Sequence, residues 1–282
     1  MIDPKDVTII IPHWGATPEQ EYALDQCLTS LLETCECKII VAKNGSATCP
    51  YNNPEDRVRG VVVEDQGQCK AVNAAVATVN TPWILVTNDD MIYAPGWFEK
   101  LVDFSWFGEK EKDILCVSPM LVEPIDGAPT FHKYFCGGAG GDFDKVKWLE
   151  FAKNWNVATP GKWRTGFNLP FLIKKELLDI ISIYDINYDP WGSNGDSDLQ
   201  AKIHLAGIQS YQNTNCIVYH FSQTSGTGHP DNRSYWEKNW HYFINKWGFE
   251  RQSGSKVWQS IDIIDYEKLK YHPWWENWFK NR

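Results

Sequence analysis

Three places in this chain carry side chains able to hold a cation or move a proton. The first is Asn88-Asp89-Asp90, directly after the apolar run Trp83-Ile84-Leu85-Val86. A short buried strand that ends in acids sets carboxylates at the carboxyl edge of a sheet, where open α/β sheets bind their ligands. Two adjacent carboxylates and an amide make a hard-oxygen site suited to Mg²⁺ or Mn²⁺ with a phosphate-bearing ligand. The plainer alternative is a solvated turn, because Asn and Asp are common there. The second place is Gly192-Ser193-Asn194-Gly195-Asp196-Ser197-Asp198, two acids opening a helix, which the helix dipole alone would favour. The third is His220, which closes the apolar run Cys216–Tyr219.

The elements that must position these groups can be read from hydrophobic periodicity. Val7–Pro12, Lys38–Ala42, Val58–Val63 and Trp83–Val86 read as strands, with helices expected over Pro18–Thr34 and Cys69–Val79. This alternation predicts a mostly parallel sheet flanked by helices, a Rossmann-like α/β fold. Further on, a helix is expected from Pro95 through Phe107, a strand over Ile114–Pro119, and a long loop with a hairpin over 125–166, broken at Gly137-Gly138-Ala139-Gly140-Gly141. A strand over Leu169–Ile173, a helix over 174–181, a helix over Asp196–Ala206 capped by Gly207, and a last strand at 216–219 complete the pattern.

Composition narrows the function. The net charge of 27 − 36 = −9 argues against a nucleic-acid binder held by phosphate contacts. No basic, then apolar leader opens the chain and no run of 18 apolar residues occurs, so neither a secretory signal nor a membrane span is expected. Eight cysteines without zinc-finger spacing point to reduced thiols and a cytoplasmic location. The 15 tryptophans supply many flat faces, suited to a protein that handles sugars or sits at an interface.

The first strand with Pro12, the Asn-Asp-Asp triplet, Gly96-Trp97-Phe98-Glu99-Lys100-Leu101-Val102 after it, the acidic segment preceded by Asp189-Pro190-Trp191-Gly192, and His220 occur in an order that resembles a family 2-type glycosyltransferase of the A-type fold. The resemblance covers roughly residues 7 to 222. It implies an inverting enzyme that moves a sugar from a nucleotide diphosphate donor (UDP-, GDP- or dTDP-linked) to a hydroxyl of a glycan or glycoconjugate. In such enzymes the last acid of the triplet binds Mn²⁺ or Mg²⁺ on the diphosphate, which maps to Asp90, with His220 at the place of a later ligand. Asn88 stands where the family has its first acid. The acidic segment resembles the family's "ED" motif, with Gly195 at the first position and Asp196 at the second, so Asp196 is the expected general base. Trp191, Gly192 and Asp198 are expected on the acceptor side. Pro12, His13, Asn44, Asp65, Lys70, Asn73, Asn88, Asp89 and Arg233 are expected around the donor, with Arg233 and His229 in a loop that closes over the nucleotide. The usual acid after the second strand is replaced by Lys43.

The implied organisation is a glycosyltransferase domain over 1–222, its donor half about 1–120 and its acceptor half about 121–222. A mobile loop and a C-terminal helical, aromatic extension follow over 223–282, with peripheral membrane contact through that tail as one expectation and packing on the main domain as the other. Two further readings stand beside the enzyme. One is an inert carbohydrate- or nucleotide-sugar-binding protein on the same fold. The other is a sugar nucleotidyltransferase, for which His13-Trp14-Gly15-Ala16 offers no phosphate loop.

Overall fold

The computed structural model describes residues 2–45, 48–51, 56–64, 67–105, 107, 114–124, 131–158, 163–166, 168–206, 208–222 and 232–247. β1 (Val7–His13) is buried along its whole length, as a β-branched strand covered on both faces must be. Helix α1 (Pro18–Thr34) starts on a reciprocal cap, in which Thr17 accepts from the Gln20 amide and Gln20 accepts from the Thr17 amide. There follow β2 (Lys38–Asn44), β3 (Val58–Val63), α2 (Gln68–Val76), β4 (Trp83–Val86), β5 (Met91–Tyr93), α3 (Trp97–Leu101), β6 (Cys116–Glu123) and β7 (Phe131–Lys133). The chain continues with α4 (Lys145–Ala158), β8 (Trp163–Thr165), β9 (Phe171–Lys174), α5 (Lys175–Ile181), α6 (Gly195–Leu205), β10 (Ser210–His220) and α7 (Asn232–Trp247).

The strands form one sheet in the order β3-β2-β1-β4-β9-β6-β10-β5, with β7 beside β6 and β8 beside β10. β3, β2, β1 and β4 are mutually parallel, and so are β6 and β10. β9 runs against both β4 and β6, and β5 runs against β10. The fold is therefore mixed α/β with a mostly parallel sheet flanked by helices, as expected. One core gathers Ile10, Ile40 and Val86 with α2, α5, α6 and the α7 residues Phe243 and Trp247. A second, on the other side, packs α1 and α3 against Ile9, Ile39 and Leu85. The alternation of Ile9, Ile10 and Ile11 between these cores is the period-2 geometry of a strand.

Several boundaries differ from expectation, each for a local reason. α3 is five residues long, because Gly96 precedes it at φ +77° and the chain leaves helical geometry at Val102. The region 125–166, expected to be a loop with a hairpin, contains the 14-residue helix α4. Asp144 caps it by accepting from the Lys147 amide, and Trp148 and Ala152 bury one face. β10 is far longer than the four residues expected, since its polar first half pairs with β6 and β8. All eight cysteines are free thiols, and no described helix is long and apolar enough to cross a membrane. Gly207, His229 and the tail from 248 onward lie outside the described residues.

Candidate active site

A cleft of about 220 Å³ opens at the carboxyl ends of β1, β2 and β4. Its sheet-side wall is Pro12, His13, Asn44, Asn88 and Asp89. Its opposite wall is the segment Pro190–Asn194 with Asp196, which descends into α6. Two acidic segments far apart in the chain thus face one space.

The sheet-side wall is fixed by side chains that tie strand ends together. Asn44 donates to the His13 carbonyl at 3.3 Å and accepts from the Gly67 amide at 3.3 Å, so one amide joins β1, β2 and the start of α2. His13 is buried, with Nδ1 2.7 Å from Asp89 Oδ2 and Nε2 3.4 Å from Glu21 Oε1. Burial pushes the Asp89 carboxyl up, and the contact with His13 opposes that shift.

The opposite wall is anchored through Asp189. Its carboxylate accepts from the Cys69 amide at 2.8 Å and the Lys70 amide at 3.0 Å, at the start of α2. A carboxylate there satisfies two amides that the helix cannot and meets the positive end of its dipole. Burial still pushes the Asp189 carboxyl up. A side chain on Gly67 would collide with this arrangement, since its Cβ would lie 2.5 Å from Asp189 Oδ2. Gly192, at φ +68°, turns the chain within this wall. Asp196, on the first turn of α6, accepts a hydrogen bond from the Tyr184 hydroxyl at 2.8 Å. Trp14 and Trp191 close the cleft edge-to-face, with ring centroids 5.2 Å apart.

Asp90 lies behind this surface rather than in it. It is 3% exposed and is not among the cleft-lining residues. Its backbone carbonyl accepts from Phe221, and β5 pairs with β10 so that His220 stands opposite Met91. That register brings His220 Nε2 within 3.3 Å of Asp90 Oδ2. On the other side of the ring, Nδ1 is 2.6 Å from Glu123 Oε1. Burial alone would lower the imidazole, but the two carboxylates outweigh it and raise His220 to about 10. A carboxylate on the far nitrogen is the partner that a metal-ligating histidine commonly has, because it fixes the ring and its tautomer. For Asp90 with His220 to hold a divalent ion as a ligand pair, the ion must displace the proton that His220 carries between the two carboxylates. Among the described residues no group of three or more His, Cys, Asp or Glu could hold a metal by itself.

Other expected residues serve the scaffold. Asn73 makes a two-way bond with the Tyr184 backbone, 2.9 Å and 3.2 Å, which ties α2 to the segment before the cleft. Lys70 is not in the cleft lining, and its amide is one of the two on Asp189. Asp198, expected at the acceptor, is fully buried instead, 2.7 Å from Lys246 and 2.9 Å from Trp247 Nε1. Asp65 lies outside the described residues. Arg233 is the second residue of α7, and its side chain is likewise outside them. The sequence reading missed Trp14, Gln20, Gln68 and Asn194 in the lining. Trp14, an aromatic immediately after the first strand, was a signal that could have been used. Glu123 carried none, since only the β6–β10 register places it beside His220.

Parallel strands ending at a cleft with carboxylates on both walls are the arrangement of an α/β protein that binds a ligand at its sheet edge. Residues 8–158 match the model of Glycosyl transferase family 2, and the chain belongs to that family. Among solved structures it is similar to "GalNAc-T7 with UDP, GalNAc and Mn2+", at a TM-score of 0.59 and 12% identity over 95% of this chain and 52% of that one. It is also similar to S. aureus TarS, at a TM-score of 0.50 and 12% identity over 85% of this chain and 40% of that one. At that identity the likeness establishes the shared fold, and the chain spans about half the length of these neighbours or less. No curated protein sequence matches the chain.

Proposed function

We propose that this glycosyltransferase moves a sugar from a nucleotide diphosphate donor to a hydroxyl of a glycan or glycoconjugate, with inversion at the anomeric carbon. The observation that carries the proposal is the shared cleft, with Asp89 on the strand-end wall and Asp196 across from it. The acceptor hydroxyl gives its proton to Asp196, its oxygen bonds to the anomeric carbon, and the bond from that carbon to the phosphate oxygen breaks. The electron pair leaves with the nucleoside diphosphate. A positioned base of this kind contributes about 10²–10⁴-fold in rate. Tyr184, donating to Asp196 Oδ1, orients the carboxylate.

Asp90 and His220 are the residues that would hold Mn²⁺ or Mg²⁺. The ion would supply positive charge to the leaving diphosphate, with waters and phosphate oxygens completing its shell. His13, Asn44 and Asn88 line the donor side, and Trp14 and Trp191 offer apolar faces for a sugar ring at the acceptor side. A fold neighbour solved with UDP and Mn²⁺ makes UDP-sugars the first donors to try, ahead of GDP- and dTDP-sugars.

The test is slow donor hydrolysis, or transfer to simple glycosides, with each nucleotide-sugar in the presence and absence of Mn²⁺. Nucleoside diphosphate release that vanishes in Asp196→Asn supports the proposal. A second reading is favoured by one observation, the burial of Asp90 against His220 outside the cleft lining. It makes the chain an inert nucleotide-sugar-binding protein, and nucleotide binding without any turnover would establish it.

A further inference from the structure

Helix α7 lies well beyond the segment matched by the family model, yet it grips the wall that carries the candidate base. Lys246 Nζ is 2.7 Å from Asp185 and 2.7 Å from Asp198, so it bridges the two ends of the segment that contains Trp191 and Asp196. Tyr242 donates to Asp185 at 2.8 Å, and Trp247 donates to Asp198 at 2.9 Å. Asn239 donates to the Tyr188 carbonyl at 2.7 Å and to Ser193 Oγ at 2.9 Å, inside the same segment. Asp198 is completely buried and Lys246 nearly so. Lys202 completes the balance, 3.5 Å from Asp198 and donating to the Ser182 and Ile183 carbonyls.

Buried charges that bridge separate segments hold geometry more than they add stability, because their desolvation offsets most of their attraction. These bonds from α7 all land on residues 185–198. Together with Asp189 on the start of α2, they hold the Asp196 turn from both sides. Catalysis by a base depends on placement at the scale of an ångström.

The geometry points to α7 as the positioning element for the base, with Lys246 and Asn239 as positioning residues for the transfer reaction. This rests on the reading of Asp196 as the base. α7 sets turnover without touching the substrate, and the catalytic unit extends to Trp247.

The experiment compares Lys246→Arg, Lys246→Met, the double variant Lys246→Met with Asp198→Asn, and Asn239→Ala. It reads melting temperature, hydrogen exchange of the amides of 188–198, and steady-state kinetics with the donor that the parent uses. Lys246→Met leaves Asp198 and Asp185 short of a partner and melts lower. The double variant also removes the fully buried Asp198 charge and recovers part of the melting temperature, Asp185 and Lys202 keeping theirs. In the double variant and in Asn239→Ala, exchange over 188–198 rises and kcat falls about tenfold or more while the donor KM stays near the parent value. Lys246→Arg retains both. A double variant with parental exchange and parental kcat overturns the proposal, as does Asn239→Ala with both unchanged. A parent that turns over no donor counts against the functional reading alone. The exchange measurement then decides the clamp, and no increase in either variant sinks it.

Discussion

The hydroxyl of Tyr184 donates to Asp196 Oδ1 over 2.8 Å, from a residue buried beneath the cleft wall. Burial, and then the Asp196 charge, push the Tyr184 phenol well above its ordinary value, so it acts as a fixed neutral donor. Asp196→Asn keeps the size and this contact but cannot accept a proton. It should lower kcat by about 10²–10⁴-fold and leave donor affinity within about threefold. Tyr184→Phe should lower kcat by a smaller factor. A near-parental rate for the Asn variant removes Asp196 from the base role.

The pair Asp90–His220 makes a separate prediction. In Asp90→Asn and His220→Ala, Mn²⁺ should no longer strengthen nucleoside diphosphate binding, measured by titration calorimetry with and without the ion. The parent should show a strengthening of at least about tenfold. An equal ion effect in parent and variants would defeat the assignment of this pair.

Gly67 offers a test of the scaffold. A methyl group there would lie 2.5 Å from Asp189 Oδ2, so Gly67→Ala must displace the carboxylate that holds the first amides of α2. We expect a loss of about 1–2 kcal/mol in urea unfolding, typical of a broken helix cap, together with weaker nucleotide binding. Normal binding with lowered stability would show that the cleft does not depend on this joint.

The pH dependence of stability should carry a mark of Asp185. Burial opposes its ionisation, but Lys246, the Asn187 amide and Tyr242 hold its carboxyl at about 2, below its ordinary 3.8. A depressed carboxyl stabilises the fold above the unfolded value and loses that contribution as pH falls from about 3.8 toward 2. Asp185→Asn should therefore cost at most about 2 kcal/mol at pH 7, with the deficit shrinking below pH 4, read from urea midpoints. A deficit that is constant down to pH 3 would exclude this origin.

Much of this arrangement was legible in the chain itself. Uninterrupted β-branched runs such as Val7–Pro12 can only be strands covered on both faces, and the acids after Trp83–Val86 had to lie at the sheet edge. The motif order set the triplet and the acidic segment on one cleft but expected Asp90 to face Asp196 there, whereas Asp89 is the triplet acid in the lining. What escaped depended on register or on distant partners. Whether Asp90 or Asp89 faces the cleft turns on β5, three residues long, pairing with β10. The role of Asp198 turns on α7, which no local pattern connects with α6. Helix α4 was hidden because its apolar face, Trp148 and Ala152, follows a run of glycines that drew attention to the loop.

The edge-to-face tryptophans at the mouth of the cleft have one more consequence. Trp14 follows the first strand, whereas Trp191 rides on the segment held by Asp189 and α7. Their separation is thus a gauge of how far the two walls stand apart. Among 15 tryptophans, the part of the indole emission lost in a Trp14→Phe variant would report any approach of those walls when a nucleotide enters, giving the molecule a built-in optical readout of its own occupancy.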